Sequence, residues 1–373
     1  MEISAAAAPD AGFIRTPANR SEDGDNELFS ISSPKLSPDE AVALAYRAFG
    51  ISGSATVLSS ERDQNFRLDA AGQSYVLKVT HPLEDPGVTD FQTQAQLQLM
   101  RGGNAVPVPR LYRALSGDYT YWHDIPGTAL RQAVRLISFL PGVPLYKARA
   151  GSAQRYSLGA ALAHFDAALA GFSHPHATHR LLWDLQHLAD LRPLLAHVDD
   201  VEKSLLAARA MDDFVRYTGP KSQKLRRQVI HNDMNAYNVM VDEHDVDRVT
   251  ASLDFGDMVE APLVNDLAVA CAYQLSATGN PMTSALDCVR GYQRVNPLTV
   301  DELDVLPGLV VGRLLATALI TEWRAKEHPE NRTYILRNNP IAWAGLQRFA
   351  AISPQEVGDS VFEAIQTVET RDA

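Results

Sequence analysis

The chain has 373 residues, 46% apolar and 21% charged, a globular composition long enough for two lobes around a sizeable core. Its net charge of −11, from 45 acidic and 34 basic residues, argues against nucleic-acid binding through the phosphate backbone and suits a cationic small molecule. The only cysteines, Cys271 and Cys288, lie in apolar helix-like stretches and read as buried thiols. With no uninterrupted apolar run near 18 residues and no basic segment ahead of an apolar core at the start, neither a membrane span nor a secretory signal is expected, and the expected location is cytoplasmic.

Residues 1–34 are polar without period and read as a disordered tail. Order is expected to begin at Ser37-Pro38-Asp39-Glu40, where a serine N-cap, a proline at the first helical position and a glutamate two residues on form a capping box. The helix then runs through Leu44 and Phe49 to a stop at Gly50. Strand patterns follow at 55–58, 65–69 and 74–79, with a turn at Ala70-Ala71-Gly72. A helix over 89–100 and strands over 119–123 and 134–139 complete a small antiparallel lobe, 35–138.

Beyond Pro141-Gly142 the pattern turns helical. Residues 156–172 place Leu158, Leu162, Phe165 and Leu169 three to four apart, the spacing of one buried helix face. Further helices are expected over 182–198, 201–217, 263–275, 282–290, 300–324 and 354–369. Residues 139–373 therefore read as a mainly helical second lobe, and the fold class as α+β and bilobal.

Within that lobe stands His231-Asn232-Asp233-Met234-Asn235-Ala236-Tyr237-Asn238, then a hairpin pattern (strands 239–241 and 249–253), then Asp254-Phe255-Gly256-Asp257. Phosphoryl transfer from a nucleotide needs this set of groups. One carboxylate orients an attacking hydroxyl and accepts its proton; an amide oxygen and a second carboxylate hold magnesium against the phosphates. Asp233 and Asn238 share one tight loop, and the hairpin returns Asp254 to it.

The order of these parts resembles the aminoglycoside phosphotransferase and choline kinase family of kinase-like small-molecule kinases, over roughly residues 38–350. Ser60-Glu61-Arg62-Asp63-Gln64-Asn65-Phe66, Tyr75-Val76-Leu77-Lys78, His231 to Asn235 and Asp254 to Asp257 are most similar to its hydroxylysine kinase branch. The resemblance implies that Lys78 contacts the donor phosphates, that Asp233 is the base, and that Asn238 and Asp254 hold Mg2+. It implies that His231 props the loop and that Asp266 ties a helix start to it. The nucleobase of ATP or GTP is expected at the backbone of Ser138, Phe139 and Leu140; the hydroxylysine kinase likeness favours GTP.

Two departures from protein kinases stand out. The turn between the first strands has no glycine, so backbone N–H groups and the hydroxyls of Ser59 and Ser60 are the expected phosphate contacts. The helix after Lys78 offers Gln92 and Gln94 as its partner in place of glutamate. For the acceptor, Asp257, Glu260, Asp266 as an alternative to its tying role, the Trp183-Asp184 pair and the Trp323-Arg324 pair are candidates to hold an ammonium or a carboxylate. If the acceptor is a hydroxy-amino acid, an acid and an arginine should converge near Asp233. The leading acceptor is 5-hydroxylysine. Homoserine, choline, ethanolamine, an aminosugar or an aminoglycoside are alternatives in the same family, and a nucleotide-binding pseudokinase is the alternative of another class. A protein kinase is disfavoured because no Ala-Pro-Glu segment follows Asp254-Phe255-Gly256 at a suitable distance.

Overall fold

The computed structural model describes residues 35–58, 60, 63–103 and 107–369, with side chains to 366. The expected tail at 1–34 and Ser59 lie outside these residues. Helix α1 (Pro38–Phe49) carries the capping box: the Glu40 amide donates to the Ser37 hydroxyl at 3.3 Å, and the Ser37 amide donates to the Glu40 carboxylate at 2.7 Å. Gly50, at φ 71°, ends it in the left-handed conformation. Its buried face, Ala41, Leu44, Ala45 and Ala48, packs on Phe66, Leu68, Leu77, Val134 and Leu136 of the first sheet.

That sheet is antiparallel throughout. Strands β1 (Ser54–Leu58), β2 (Gln64–Ala70), β3 (Gln73–Val79), β4 (Leu111–Tyr112), β5 (Tyr121–Asp124) and β6 (Arg131–Ser138) run in the order β1-β2-β3-β6-β4, with β5 also paired to β6. Helix α2 (Pro86–Met100) is interposed after β3. The register sets Lys78 on β3 between Asn65 and Arg135. The short strand β4 is an addition to the five strands expected; two residues are too few to show a period.

The remainder is helical, with two small sheets at the junction. Strand β7 (Val143–Pro144) pairs with β9 (Val239–Val241), which pairs with β10 (Val249–Ser252) as the expected hairpin; β8 (Arg227–Ile230) pairs with β11 (Val259–Pro262). Helices α3 (Ser152–Ala168), α4 (Val201–Asp213), α5 (Gly219–Ser222), α6 (Val264–Ala272), α7 (Ala285–Val295), α8 (Val300–Glu327), α9 (Arg332–Ile335), α10 (Asn339–Ala350) and α11 (Pro354–Glu369) enclose the larger core. A cluster of Phe91 and Leu99 from α2 with Phe165, Leu169, Val229, Phe255 and Met258 joins that body to the first sheet's helix.

Helices α3 and α7 cross at backbone contact. A Cβ on Gly159 would lie 1.9 Å from the Cys288 carbonyl oxygen, and one on Gly291 would lie 1.9 Å from that of Tyr156. Only glycine fits either position.

Three stretches differ from the sequence expectation. The helix expected over 182–198 is a 3-10 run, Leu185–His197, containing Pro193; a proline without an N–H disfavours continuous α-helix there. The helix expected over 201–217 ends at Asp213 and widens into a π-turn, Phe214–Thr218. Helix α10 was not foreseen. Helix α8 is the one described helix long and apolar enough to cross a membrane, although no unbroken apolar run marks it; 78% of its most apolar window is buried inside the protein, and it packs as a core helix.

Candidate active site

The loop between β8 and β9 is built on one buried carboxylate. Asp266, in the first turn of α6, accepts the His231 amide at 2.7 Å with one oxygen and the Asn232 amide at 2.8 Å with the other. This is the tie that the resemblance implied. Asn232 is thereby held at φ 63°, a left-handed conformation that asparagine tolerates better than most residues. The His231 ring bridges onward. Its Nδ1 accepts the Asp233 amide at 3.2 Å, and its Nε2 faces the Leu253 carbonyl at 3.0 Å. With both ring nitrogens engaged by the backbone, the imidazole braces the loop.

Three neighbours fix Asp233. Its Oδ2 accepts from the side-chain amides of Asn235 at 2.9 Å and Asn238 at 2.8 Å, and its Oδ1 accepts from Arg313 of α8 at 2.8 Å. Burial pushes its pKa up to about 6 against the pull of Arg313, and the nearby Asp257 charge pushes the same way. A carboxylate so held, near neutrality in affinity, suits a group that orients a hydroxyl and takes its proton. The Asn238 amide nitrogen also donates to the Asp233 carbonyl at 2.9 Å, so its oxygen faces away from Asp233.

Asp254 reaches the same loop through the hairpin, because the Leu253 amide donates to the Asn238 carbonyl at 2.7 Å. Asp254 adopts φ 60°, and its half-exposed carboxylate accepts the Gly256 amide and the Lys78 ammonium, both at 3.2 Å. Among the described residues no group of three or more His, Cys, Asp or Glu gathers as a metal site. The Asn238 amide and the Asp254 carboxylate are hard oxygen donors of the kind magnesium takes alongside phosphate oxygens.

Lys78 has two acids, not a glutamine. Its Nζ lies 3.1 Å from Asp63 and 3.2 Å from Asp254. Burial works to lower its pKa, and these two carboxylates outweigh burial and raise it. The expectation that Gln92 or Gln94 partners Lys78 is corrected. Gln94 sits on the exposed side of α2 and donates to Asp90 at 3.2 Å. Residues two apart on a helix point in nearly opposite directions, so Gln92 alone faces inward. It accepts from Arg135 at 3.0 Å and donates to the Gly256 carbonyl at 3.3 Å. It ties α2 to Asp254-Phe255-Gly256 and to the cation beside Lys78 in the sheet.

At the expected nucleobase position, Ser138 is committed internally. Its amide donates to the Arg110 carbonyl and its hydroxyl accepts the Arg110 amide, both at 2.9 Å. The Phe139 amide donates to the Ser74 carbonyl at 3.2 Å. The half-buried Leu140, next in the chain, has an amide with no partner among the described residues and is the donor left at this edge. Ser60 is exposed in the turn ahead of Asp63.

The candidate acceptor residues separate. Asp257 is half-buried, and its charge acts on both Asp233 and Arg313. Trp183 lies under the Arg313 guanidinium, 5.1 Å from its ring centre, with Tyr273 at 5.9 Å. Asp184 is buried and caps the 3-10 run, accepting from the backbone and side-chain amides of Gln186 at 3.0 and 2.9 Å. It is a structural cap. Glu260 faces Arg227 at 3.8 Å from strand β11. Arg324 lies three turns along α8 from Arg313, about 16 Å by helical rise; Arg313, not Arg324, meets Asp233.

A model of the phosphotransferase enzyme family matches residues 54–298. The chain belongs to that family. It is a kinase acting on a hydroxyl group. The phosphotransferase is 26% identical over 353 residues to the hydroxylysine kinase of Xenopus laevis, with 89% of this chain and 94% of that one covered. It is 26% identical over 296 residues to the homoserine kinase of Paramagnetospirillum magneticum, with 76% and 85% covered. The structure of a microcompartment-associated aminopropanol kinase superposes with a TM-score of 0.65 at 19% identity, covering 83% of this chain and 96% of that one; it shares the fold.

Sequence reading missed Asp63, Arg135 and Arg313 in the phosphotransferase's site. Asp63 stood in the quoted Ser60–Phe66 run, and its place across the β2–β3 hairpin from Lys78 was a usable signal. Arg313 had a weaker one: a lone arginine between Gly312 and Leu314 in an apolar helix requires a buried acid.

Proposed function

We propose that this phosphotransferase moves the γ-phosphoryl group of ATP or GTP to a hydroxyl of an amine-bearing metabolite, with 5-hydroxylysine the leading acceptor. Residues 35–138 would form the nucleotide-binding lobe and 139–373 the catalytic and acceptor-binding lobe. Asp233 orients the hydroxyl and takes its proton. Lys78, steadied by Asp63 and Asp254, contacts the donor phosphates, and the Leu140 amide meets the nucleobase. Asn238 and Asp254 would hold magnesium, which when bound neutralises phosphate charge at the transfer point.

The single observation that carries the reading is an acid, Asp257, whose charge acts on the base Asp233, while Arg313 is spent on holding Asp233 itself. An acid beside the base favours an acceptor that carries an ammonium next to its reacting hydroxyl. The likeness to hydroxylysine kinases over nearly the whole chain supports the same acceptor; the likeness to homoserine kinases keeps a second hydroxy-amino acid in view. The complete set Lys78, Asp233, Asn238 and Asp254 argues against a pseudokinase.

The test is a coupled assay of GDP and ADP release with magnesium, across 5-hydroxylysine, homoserine, choline, ethanolamine and one aminoglycoside. Turnover on 5-hydroxylysine that disappears in Asp233→Asn supports the reading. The variant should lose at least about a thousandfold in kcat while its nucleotide affinity changes little. Near-normal turnover in that variant would remove Asp233 from its role, and a preference for choline would remove the amino-acid acceptor.

A further inference from the structure

The catalytic loop carries an aromatic side chain that the chemistry above does not use. Tyr237 precedes Asn238 and is more than one-third exposed. Its ring stacks on Tyr146 with centres 4.5 Å apart. The guanidinium of Arg337, from the 3-10 turn between α9 and α10, lies 4.8 Å from the Tyr237 ring centre and 3.8 Å from that of Tyr334. Arg337 is thus held between two tyrosine faces, one of them part of the loop that bears Asp233.

Its partners are the unusual feature. Arg337 has no carboxylate and no hydrogen bond among the described residues, and its Nε is out of contact with solvent with nothing to receive its proton. In a chain of net charge −11, a half-buried arginine without an acid is unexpected, since a shielded charge is normally paired. Ring faces satisfy the flat sides of the guanidinium and leave its in-plane N–H groups for a planar anion, the geometry in which arginine takes a carboxylate with two parallel bonds. Arg313 cannot serve in the same way, because it is already committed to Asp233 and to the Tyr273 hydroxyl, at 2.8 and 3.4 Å.

We propose that Arg337, between Tyr237 and Tyr334, is the binding site for the carboxylate of the acceptor. This rests on the hydroxy-amino-acid reading given above. In such an acceptor the carboxylate stands several carbon–carbon bonds of about 1.5 Å from the reacting hydroxyl. It therefore needs a cation set back from Asp233, and Arg337 lies against the ring of Tyr237, four residues along the catalytic loop from Asp233. Arg337 selects the acceptor by its far end, while Asp233 and Asp257 handle the near end.

The test compares 5-hydroxylysine with its decarboxylated analogue, the diamino alcohol that keeps the hydroxyl and both amines. Steady-state kinetics are measured at saturating nucleotide and magnesium for the full chain and for Arg337→Gln and Arg337→Lys. The wild type should prefer the amino acid. Arg337→Gln, whose planar amide preserves stacking, should raise KM for the amino acid about 10- to 100-fold with kcat within about threefold, and leave KM for the analogue unmoved. Arg337→Lys should recover part of the loss. Equal losses on both compounds would assign Arg337 a structural role and overturn the proposal; so would a raised nucleotide KM, which would give the anion to the donor. Unchanged discrimination in both variants, folded by thermal melt, also overturns it. A wild type that turns over neither compound, or prefers the analogue, would instead defeat the acceptor reading and this inference with it.

Discussion

Beneath the catalytic loop lie two carboxyl groups too close and too buried both to be charged. Asp166 of α3 and Asp266 of α6 are each 0% exposed. Asp266 accepts two backbone amides and is the charged member. Asp166 accepts the Tyr292 hydroxyl at 2.6 Å on Oδ2, while its buried Oδ1 has no donor. That atom is explained if it carries a proton shared with Asp266. Burial first, and the Asp266 charge second, push the Asp166 pKa well above the ordinary carboxylate value.

A raised folded-state pKa fixes the sign of the pH dependence. Between the unfolded value of about 4 and the raised folded value, the folded state holds one proton more than the unfolded state, so stability falls as pH rises, by up to about 1.4 kcal/mol per unit. The loss continues until the raised folded-state value is passed, where the wild type gives up the proton. Asp166→Asn keeps the shape, donates an N–H toward Asp266 and accepts the Tyr292 hydroxyl, but has no proton to lose. Its stability relative to the wild type should improve as pH rises from 5, by up to about 1.4 kcal/mol per unit for as long as the wild type keeps that proton. Denaturant unfolding of both proteins at pH 5, 6, 7 and 8 measures this, and titrations common to both cancel in the difference. Parallel stability curves would mean that no proton is shared and would refute the argument.

Other substitutions probe the site and its frame. Arg313→Met leaves Asp233 buried without its guanidinium and should lower kcat about 10- to 100-fold, with nucleotide KM little changed, in the coupled assay; an unaltered kcat would show that the pair is dispensable. Asp63→Asn removes one of the two acids on Lys78, worth about 1 kcal/mol in a half-buried pair, and should lower kcat about fivefold; a drop no larger than that of a distant surface substitution would dismiss it. Gly291→Val drives a side chain into the Tyr156 carbonyl and should destabilise the protein by about 3 kcal/mol, read as a lowered melting temperature.

Much of the chemistry is local in the chain and was therefore legible there. His231, Asp233 and Asn238 occupy one short loop, and the hairpin that returns Asp254 is marked by two apolar runs around a polar turn, so spacing alone brings them together. The α1 capping box and the turn at Ala71-Gly72 are likewise decided by neighbours within four residues, where backbone geometry leaves few alternatives. Tertiary structure decided what depends on packing between distant segments. Arg313 meets Asp233 across 80 residues, and α8 could have presented Arg324 as readily by sequence. Lys78 takes Asp63 and Asp254 instead of a glutamine, because the rotation of α2 turns Gln92 toward Arg135 and Gln94 toward solvent. Asp184 caps a 3-10 run that Pro193 withholds from the α-helix, and so is buried. In each case one side chain had several partners within chemical reason, and only the relative placement of helices and sheets, fixed by close-packed cores, selected among them.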